Sequence, residues 1–282
     1  MRGTSVIIPA HNEEAVIRRT IATLLRTAEA GEFEVIVVCN GCNDRTAEIA
    51  ASGFSDVAVV ELEEASKTAA INAGLRQARG GPVLLLDADI ALETPAARAL
   101  AEAVRRPGVE AAIGHMDVDT EGADRLVRAF YRVWMEHPYL RNGKFAAAIA
   151  LSAAGVERIG TMPRVTADDT YLRRLFPAAR VAVVESARFQ VRAPRTVAAL
   201  VRIRSRSYRG TRQLASAVTA PAGQRGEARG LFHRLLTKPS LWPFAPAYLA
   251  VTLAARGLSY RDAGARWERD LTTRTPLPGQ GA

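Results

Sequence analysis

The chain of 282 residues has only two cysteines, Cys39 and Cys42. Two thiols cannot build the multi-bridge framework of a small secreted domain, and they suit a reducing compartment. Long apolar runs are also missing. The most apolar late stretch, LWPFAPAYLAVTLAA at 241–255, has 15 residues and contains Pro243 and Pro246, short of the ~20 needed to span a bilayer. A strand-like SVIIP begins at residue 5 and charged HNEE is complete by residue 14, which leaves no room for a signal peptide. A cytoplasmic protein is the expectation. Glycine-rich phosphate loops are absent too: there is neither a Gly-x-Gly-x-x-Gly turn nor a Gly-Lys-Ser/Thr loop. Any phosphate bound here must be held by other means, and carboxylates with a bridging divalent cation are the obvious device.

What is present is ordinary for a globular protein: 48% hydrophobic and 24% charged residues. The length fits one large α/β domain, or one domain with a small appendage. Charge is uneven. Residues 1–179 carry a net −4 and residues 180–282 a net +13, within an overall +9. By charge alone, a basic C-terminal part suits nucleic acid, anionic lipid or a phosphate-bearing ligand, or is a solvated arginine-rich face. Nucleic acid is not an expected partner.

The first half alternates strand and helix. TSVIIPA (4–10), FEVIVVCN (33–40), VAVVEL (57–62) and PVLLLDAD (82–89) read as short buried strands. Between them, EEAVIRRTIATLLRTA (13–28) repeats apolar residues at Ile17, Ile21, Leu24, Leu25 and Ala28, one helical face. DRTAEIAAS and SKTAAINAGLRQAR are further helices, the second capped by Ser66 and stopped by Gly80-Gly81, and TPAARALAEAVRR carries Pro95 in its first turn. This order predicts a mostly parallel, Rossmann-like sheet flanked by helices, with ligands outside the carboxyl ends of the strands. Polar residues converge on that edge: His11, Asn12 and Glu13; Asn40 and Asp44; Asp87 and Asp89. Later, VEAAIGHMDVD and KFAAAIALS suggest strands around an amphipathic GADRLVRAFYRVWMEH. Asp168-Asp169 opens a helix, where the dipole favours anions, and from about 195 the chain reads as helical and arginine-rich. APAGQRGEARG (220–230) reads as a connector.

Cys39-x-x-Cys42 has dithiol spacing after a strand and before a helix. Asn-Gly between the cysteines, no neighbouring Trp or Pro, and histidines scattered at 11, 115, 137 and 233 argue against redox or zinc chemistry. The sulfurs are expected to be small core hydrophobes.

The ordered set SVIIPAHNEE, VIVVCNGCNDRT, KTAAINAGL, LLLDAD and VTADDTYL resembles the family 2 glycosyltransferases of GT-A fold, over roughly residues 4–215. The resemblance implies an inverting enzyme that moves a sugar from a nucleoside-diphosphate sugar to a hydroxyl acceptor, lipid-linked or saccharide. Pro9, Ala10, His11 and Glu13 would line base and ribose, His11 by stacking. Asp44 would accept a hydrogen bond from the base, and Asn40 stands where the family has an acid. Lys67 would meet the diphosphate. Asp87 would position ribose or metal, and Asp89 would ligate Mg2+ or Mn2+. Asp169 would be the general base beside Asp168. Arg206 matches the arginine of a Gln-x-x-Arg-Trp motif, but Ile203 and Ser207 replace its ends, against processive synthesis; Arg206 or Arg209 would clamp the diphosphate.

The resemblance implies a catalytic domain at 1–215. Residues 216–282 would be a helical extension, either a lid or an element resting on the inner face of the cell membrane. Two other classes share parts of the pattern. A sugar-1-phosphate nucleotidyltransferase would need a glycine-rich turn after the first strand, which PAHNEE does not supply. A non-catalytic nucleotide-binding module would have no use for both Asp89 and Asp169.

Overall fold

The computed structural model describes residues 3–217 and 227–261. The chain divides into two compact units, Met1–Asp117 with Gly143–Gln190, and Val118–Asn142 with Val191–Ala282. This partition follows packing, whereas the boundary at 215 follows where the motifs end.

The first unit holds β1 (Thr4–Ala10), α1 (Ile17–Leu25), β2 (Phe33–Asn40), α2 (Thr46–Ala51), β3 (Val57–Leu62), α3 (Lys67–Gln77), β4 (Val83–Leu86), β5 (Ala91–Leu92) and α4 (Thr94–Ala103). β6 (Ala111–Asp119) follows, and after the excursion into the second unit come β7 (Lys144–Leu151), α7 (Ala153–Ile159), α8 (Asp168–Leu175) and β8 (Val181–Arg192). The eight strands form one sheet in the order β3-β2-β1-β4-β7-β6-β8-β5. The first four are mutually parallel, and β7 runs antiparallel to both β4 and β6. β1 is buried at all seven positions, as a central strand covered on both faces should be, while edge strand β3 is half-exposed. The α/β class and the flanking helices are those the alternation predicts.

α3 shows how sequence sets position. Ser66 caps it by accepting a hydrogen bond from Ala69 N at 3.3 Å. Gly74 lies flush on β1, where a Cβ would come 2.4 Å from Ile7 Cγ2, so only glycine allows this close approach.

Two elements differ from expectation. α1 begins at Ile17 rather than Glu13 and ends at Leu25, before Ala28. Glu13 N is taken by Thr46 Oγ1 at 2.7 Å, which holds residues 11–14 on the β2–α2 turn as a loop. The second is β8, twelve residues for which the sequence pattern gives no strand expectation. It pairs antiparallel with β5 and lies next to β6 in the sheet, where Gly114 leaves no room for a Cβ beside Ala187 O.

The second unit is helical: α5 (Arg125–Trp134), α6 (Pro138–Arg141), α9 (Val197–Ala217), α10 (Glu227–Thr237), a 3-10 stretch Pro239–Phe244 and α11 (Ala245–Arg261). Most of the connector read at 220–230 lies outside the described residues, as does the end of the C-terminal extension beyond 261. Phe130 is fully enclosed and stacks on Tyr248 at 5.3 Å. The Arg204 guanidinium lies 5.1 Å from the Trp134 ring and 5.2 Å from the Tyr208 ring, packing by cation–π attraction. Among the described residues no helix is long and apolar enough to cross a membrane.

Candidate active site

At the carboxyl ends of β1 and β2 the two turns are knitted together by polar side chains. Buried Asn40 donates from Nδ2 to Ala10 O at 2.8 Å, and His11 Nδ1 donates to Asn40 O at 2.5 Å. Asn12, in the left-handed region at φ 51°, donates to Asn43 Oδ1 at 2.5 Å and accepts from Asn43 N at 2.7 Å. Asp44 accepts from Thr46 N at 3.0 Å and Thr46 Oγ1 at 2.5 Å, and its other oxygen accepts from Glu14 N at 3.3 Å. An acid at position 40 could not donate to Ala10 O, so Asn40 has a local reason for its identity. Glu13 is buried behind this turn.

The cysteines belong to the same knot. Both are free, Cys39 is buried, and Asn12 N donates to Cys42 Sγ at 3.3 Å. Burial, with Cys42 adjacent, pushes the Cys39 thiol up to about 12, the opposite of a redox-active cysteine. Iodoacetamide at pH 8 should therefore leave Cys39 unmodified in the native chain and modify it after unfolding in guanidinium, as mass spectrometry of the peptides would read. Rapid native labelling of Cys39 would contradict its burial.

Next to this knot, at the ends of β1, β4 and β7, lies a hollow of about 300 Å³ including its open mouth. Pro9, Lys67, Asp87, Asp168 and Asp169 line it, over an apolar floor from Ile71, Leu85, Leu86, Ile149 and Leu172. Lys67 is the first residue of α3 and Asp168 the first of α8. Reciprocal bonds fix α3 to the loop ahead of α8: Asn72 Nδ2 donates to Met162 O at 3.0 Å, and Met162 N donates to Asn72 Oδ1 at 2.9 Å.

The Lys67 ammonium, 23% exposed, lies 2.6 Å from Asp87 Oδ1 and 2.8 Å from Asp168 Oδ2. Burial pulls its pKa down, but Asp168 and Asp87 more than reverse that, and Lys67 stands above the ordinary lysine range. Burial raises the carboxyl of Asp87, with the charges of Asp89 and Asp169 adding to the rise and Lys67 opposing it. Asp168 is raised in the same way, by burial and then by Asp87 and Asp169. Lys67 thus bridges Asp87 and Asp168, while the nearby charges of Asp89 and Asp169 act on the same carboxyls.

Asp89 is exposed and is not part of the hollow's lining, yet its charge acts on Asp87 two residues away. Asp169 accepts from Thr170 N at 2.6 Å. Arg206 and Arg209 lie on α9 in the second unit.

Two features escaped the sequence. One is the Lys67 bridge between Asp87 and Asp168. The other is Ala147, which holds a left-handed φ of 67° inside β7, accepts Asp87 N at 2.8 Å and lines the hollow with Ala146. Non-glycine residues hold that conformation only where surrounding structure imposes it, and such strain clusters at functional sites. The only sequence signal was the run of small residues in KFAAAIALS.

Among the described residues no three His, Cys, Asp or Glu side chains are grouped to hold a metal alone. An oxygen-only pair, Asp87 and Asp89, nonetheless fits Mg2+ or Mn2+, which commonly take one or two carboxylates and complete their shell with substrate phosphates and water.

Solved structures share this architecture. A mannosyltransferase from Pyrobaculum calidifontis, in complex with GDP-Man and Mn2+, aligns with a TM-score of 0.58 at 24% identity, covering 92% of this chain and 79% of that one. Glucosyl-3-phosphoglycerate synthase from Mycobacterium tuberculosis, in complex with Mn2+, UDP-Glc and phosphoglyceric acid, aligns with a TM-score of 0.54 at 19% identity over 79% and 82% of the two chains. The fold is therefore that of the GT-A sugar-transferring enzymes. Residues 5–154 match the family model described as glycosyl transferase family 2, and the chain belongs to that family.

Among curated relatives, the undecaprenyl-phosphate 4-deoxy-4-formamido-L-arabinose transferase of Pseudomonas aeruginosa strain LESB58 is 41% identical over 95 residues, 30% of this chain and 27% of that protein. The protein of the same name from Pseudomonas fluorescens strain SBW25 is 35% identical over 137 residues, 45% of this chain and 38% of the relative. The match spans well under half the length of these relatives.

Proposed function

We propose that the enzyme moves one sugar from a nucleoside-diphosphate sugar to an acceptor hydroxyl in a single inverting displacement. The observation that carries this reading is the meeting of Lys67, Asp87, Asp168 and Asp169 in one hollow beside Pro9. Pro9, Ala10, His11, Glu13, Asn40 and Asp44 form the nucleotide end, with His11 stacked on the base. Much of that turn is already hydrogen-bonded to itself, so it offers the nucleotide a rigid wall and costs little further ordering on binding. Asp89 and Asp87 would hold Mg2+ or Mn2+, which would supply neutralising charge for the departing diphosphate. Lys67, at the N-terminus of α3, meets the same phosphates.

Asp169 takes the acceptor proton as the acceptor oxygen attacks the anomeric carbon and the bond to the diphosphate breaks on the opposite face. An acceptor hydroxyl ionises far above neutral pH, so a positioned carboxylate accelerates the step. A glycosidase would instead place two carboxyls across one bond.

A second reading of the acceptor has its own support. The curated relatives are named for undecaprenyl-phosphate, and a lipid phosphate here would be the nucleophile itself, at the inner face of the cell membrane.

Thermal shift with nucleoside diphosphates, each with and without Mn2+, tests the donor half. One base, with metal, should raise Tm by about 5–10 °C at a hundredfold excess over Kd. No rise with any base would remove the reading.

A further inference from the structure

The outward face of α10 and α11 has a composition that a face meeting only water would not. Eight large hydrophobic residues are exposed among the described residues, and six of them fall between Phe232 and Tyr260. α11 buries Val251, Ala255 and Ser259 on one side. Its opposite side presents Leu249, Leu253 and Tyr260, successively four and seven residues apart and therefore on one stripe, with Leu249 54% and Leu253 67% exposed. No charged residue interrupts the chain from 239 to 255. Trp242 is 58% exposed although its indole N–H already donates to Leu235 O at 2.7 Å, so hydration of that group does not explain the exposed ring.

Along this segment the charge is mostly positive. Residues 227–261 contain five Lys and Arg against the single acid Glu227, with Arg234 and Lys238 toward one end and Arg256 and Arg261 toward the other. Lys238 is paired with Glu136 at 2.9 Å; the arginines set the sign of the field. A partner that is both apolar and negatively charged over a wide area satisfies both features, and a bilayer containing anionic lipid is such a partner. A scattered exposed leucine needs no explanation, whereas a contiguous apolar patch rimmed by basic residues marks an interaction surface.

We infer that the α10–α11 face, through Trp242, Leu249 and Leu253 with Arg234, Arg256 and Arg261 around them, docks the enzyme on an anionic membrane surface. The inference deepens the reading of a membrane-resident acceptor, but it is tested without donor or acceptor, so either can fail alone.

The experiment is co-sedimentation of the full chain with vesicles of phosphatidylglycerol and phosphatidylcholine in equal parts, against phosphatidylcholine alone. Binding should favour the anionic vesicles at least tenfold and weaken as salt rises. The pair Leu249→Asp and Leu253→Asp should cut partitioning roughly tenfold or more with circular dichroism unchanged. If that variant fails to fold, the tryptophan emission of the unaltered chain, to which Trp242 is one of three contributors, serves instead. It should shift blue on anionic vesicles, and Trp242→Phe should remove the shift. Equal binding to both vesicles, or no blue shift, overturns the inference. So does a lipid-free dimer in sedimentation velocity that the two leucine substitutions dissociate, since a second copy would then own the face.

Discussion

Asp169→Asn is expected to lower the transfer rate by roughly 10²–10⁴-fold while leaving nucleotide affinity nearly unchanged. The amide keeps the shape of the side chain and can still accept from Thr170 N, which Asp169 does at 2.6 Å in the native chain. What it cannot do is take a proton. Single-turnover transfer at saturating donor isolates that step, and an effect in kcat with little change in donor KM is the mark of a group acting in the transition state. The same variant separates the two acceptor classes. A phosphate monoester already carries more than one negative charge near pH 7, so its attack needs no base, and Asp169→Asn would then cost far less. A loss below about tenfold against every hydroxyl acceptor would end the base assignment.

Lys67→Met should be the most destabilising single substitution at the site. It removes the ammonium that lies 2.6 and 2.8 Å from two mostly buried carboxylates. Removing one partner of a buried ion pair costs about 3–5 kcal/mol, and the partial exposure of Lys67 places the expected loss near the lower end. Urea unfolding would read it as a lower midpoint with an unchanged slope. Adding Asp168→Asn to Lys67→Met should recover part of the loss, because one of the stranded carboxylates is then gone. That non-additivity is the signature of a direct pair. If Lys67→Met costs less than about 1 kcal/mol, the bridge behaves like a solvent-exposed ion pair, and the account of charge in the hollow would have to change.

How much of this was legible beforehand differs from element to element. β1, β2 and β3 were readable to the residue because continuous Val and Ile runs bounded by polar turns have few other uses. The start of α1 was not, since its apolar period extends back over residues whose backbone is captured by Thr46, thirty-three positions later. β8 was missed although Val181, Val183, Phe189 and Val191 mark it, because its edge partner β5 is only two residues long and gives no sequence signal. Among the candidate residues, Pro9, Lys67, Asp87, Asp168 and Asp169 come together in one hollow, Asn40 and Asp44 are committed to the neighbouring turn, and Arg206 and Arg209 lie in the other unit.

The sequence by itself determined the alternation of buried strands and helices, the acids at strand and helix ends, and the family to which those motifs belong. Each is a local property, set by periodicity and by which side chains fit a turn or a helix start. The tertiary structure alone decided that Lys67 lies between Asp87 and Asp168, that Ala147 is held in a left-handed conformation, and that the apolar side of α11 faces outward. Those facts depend on residues 20 to 101 positions apart, or on which side of a helix finds a packing partner, and chain order does not record either.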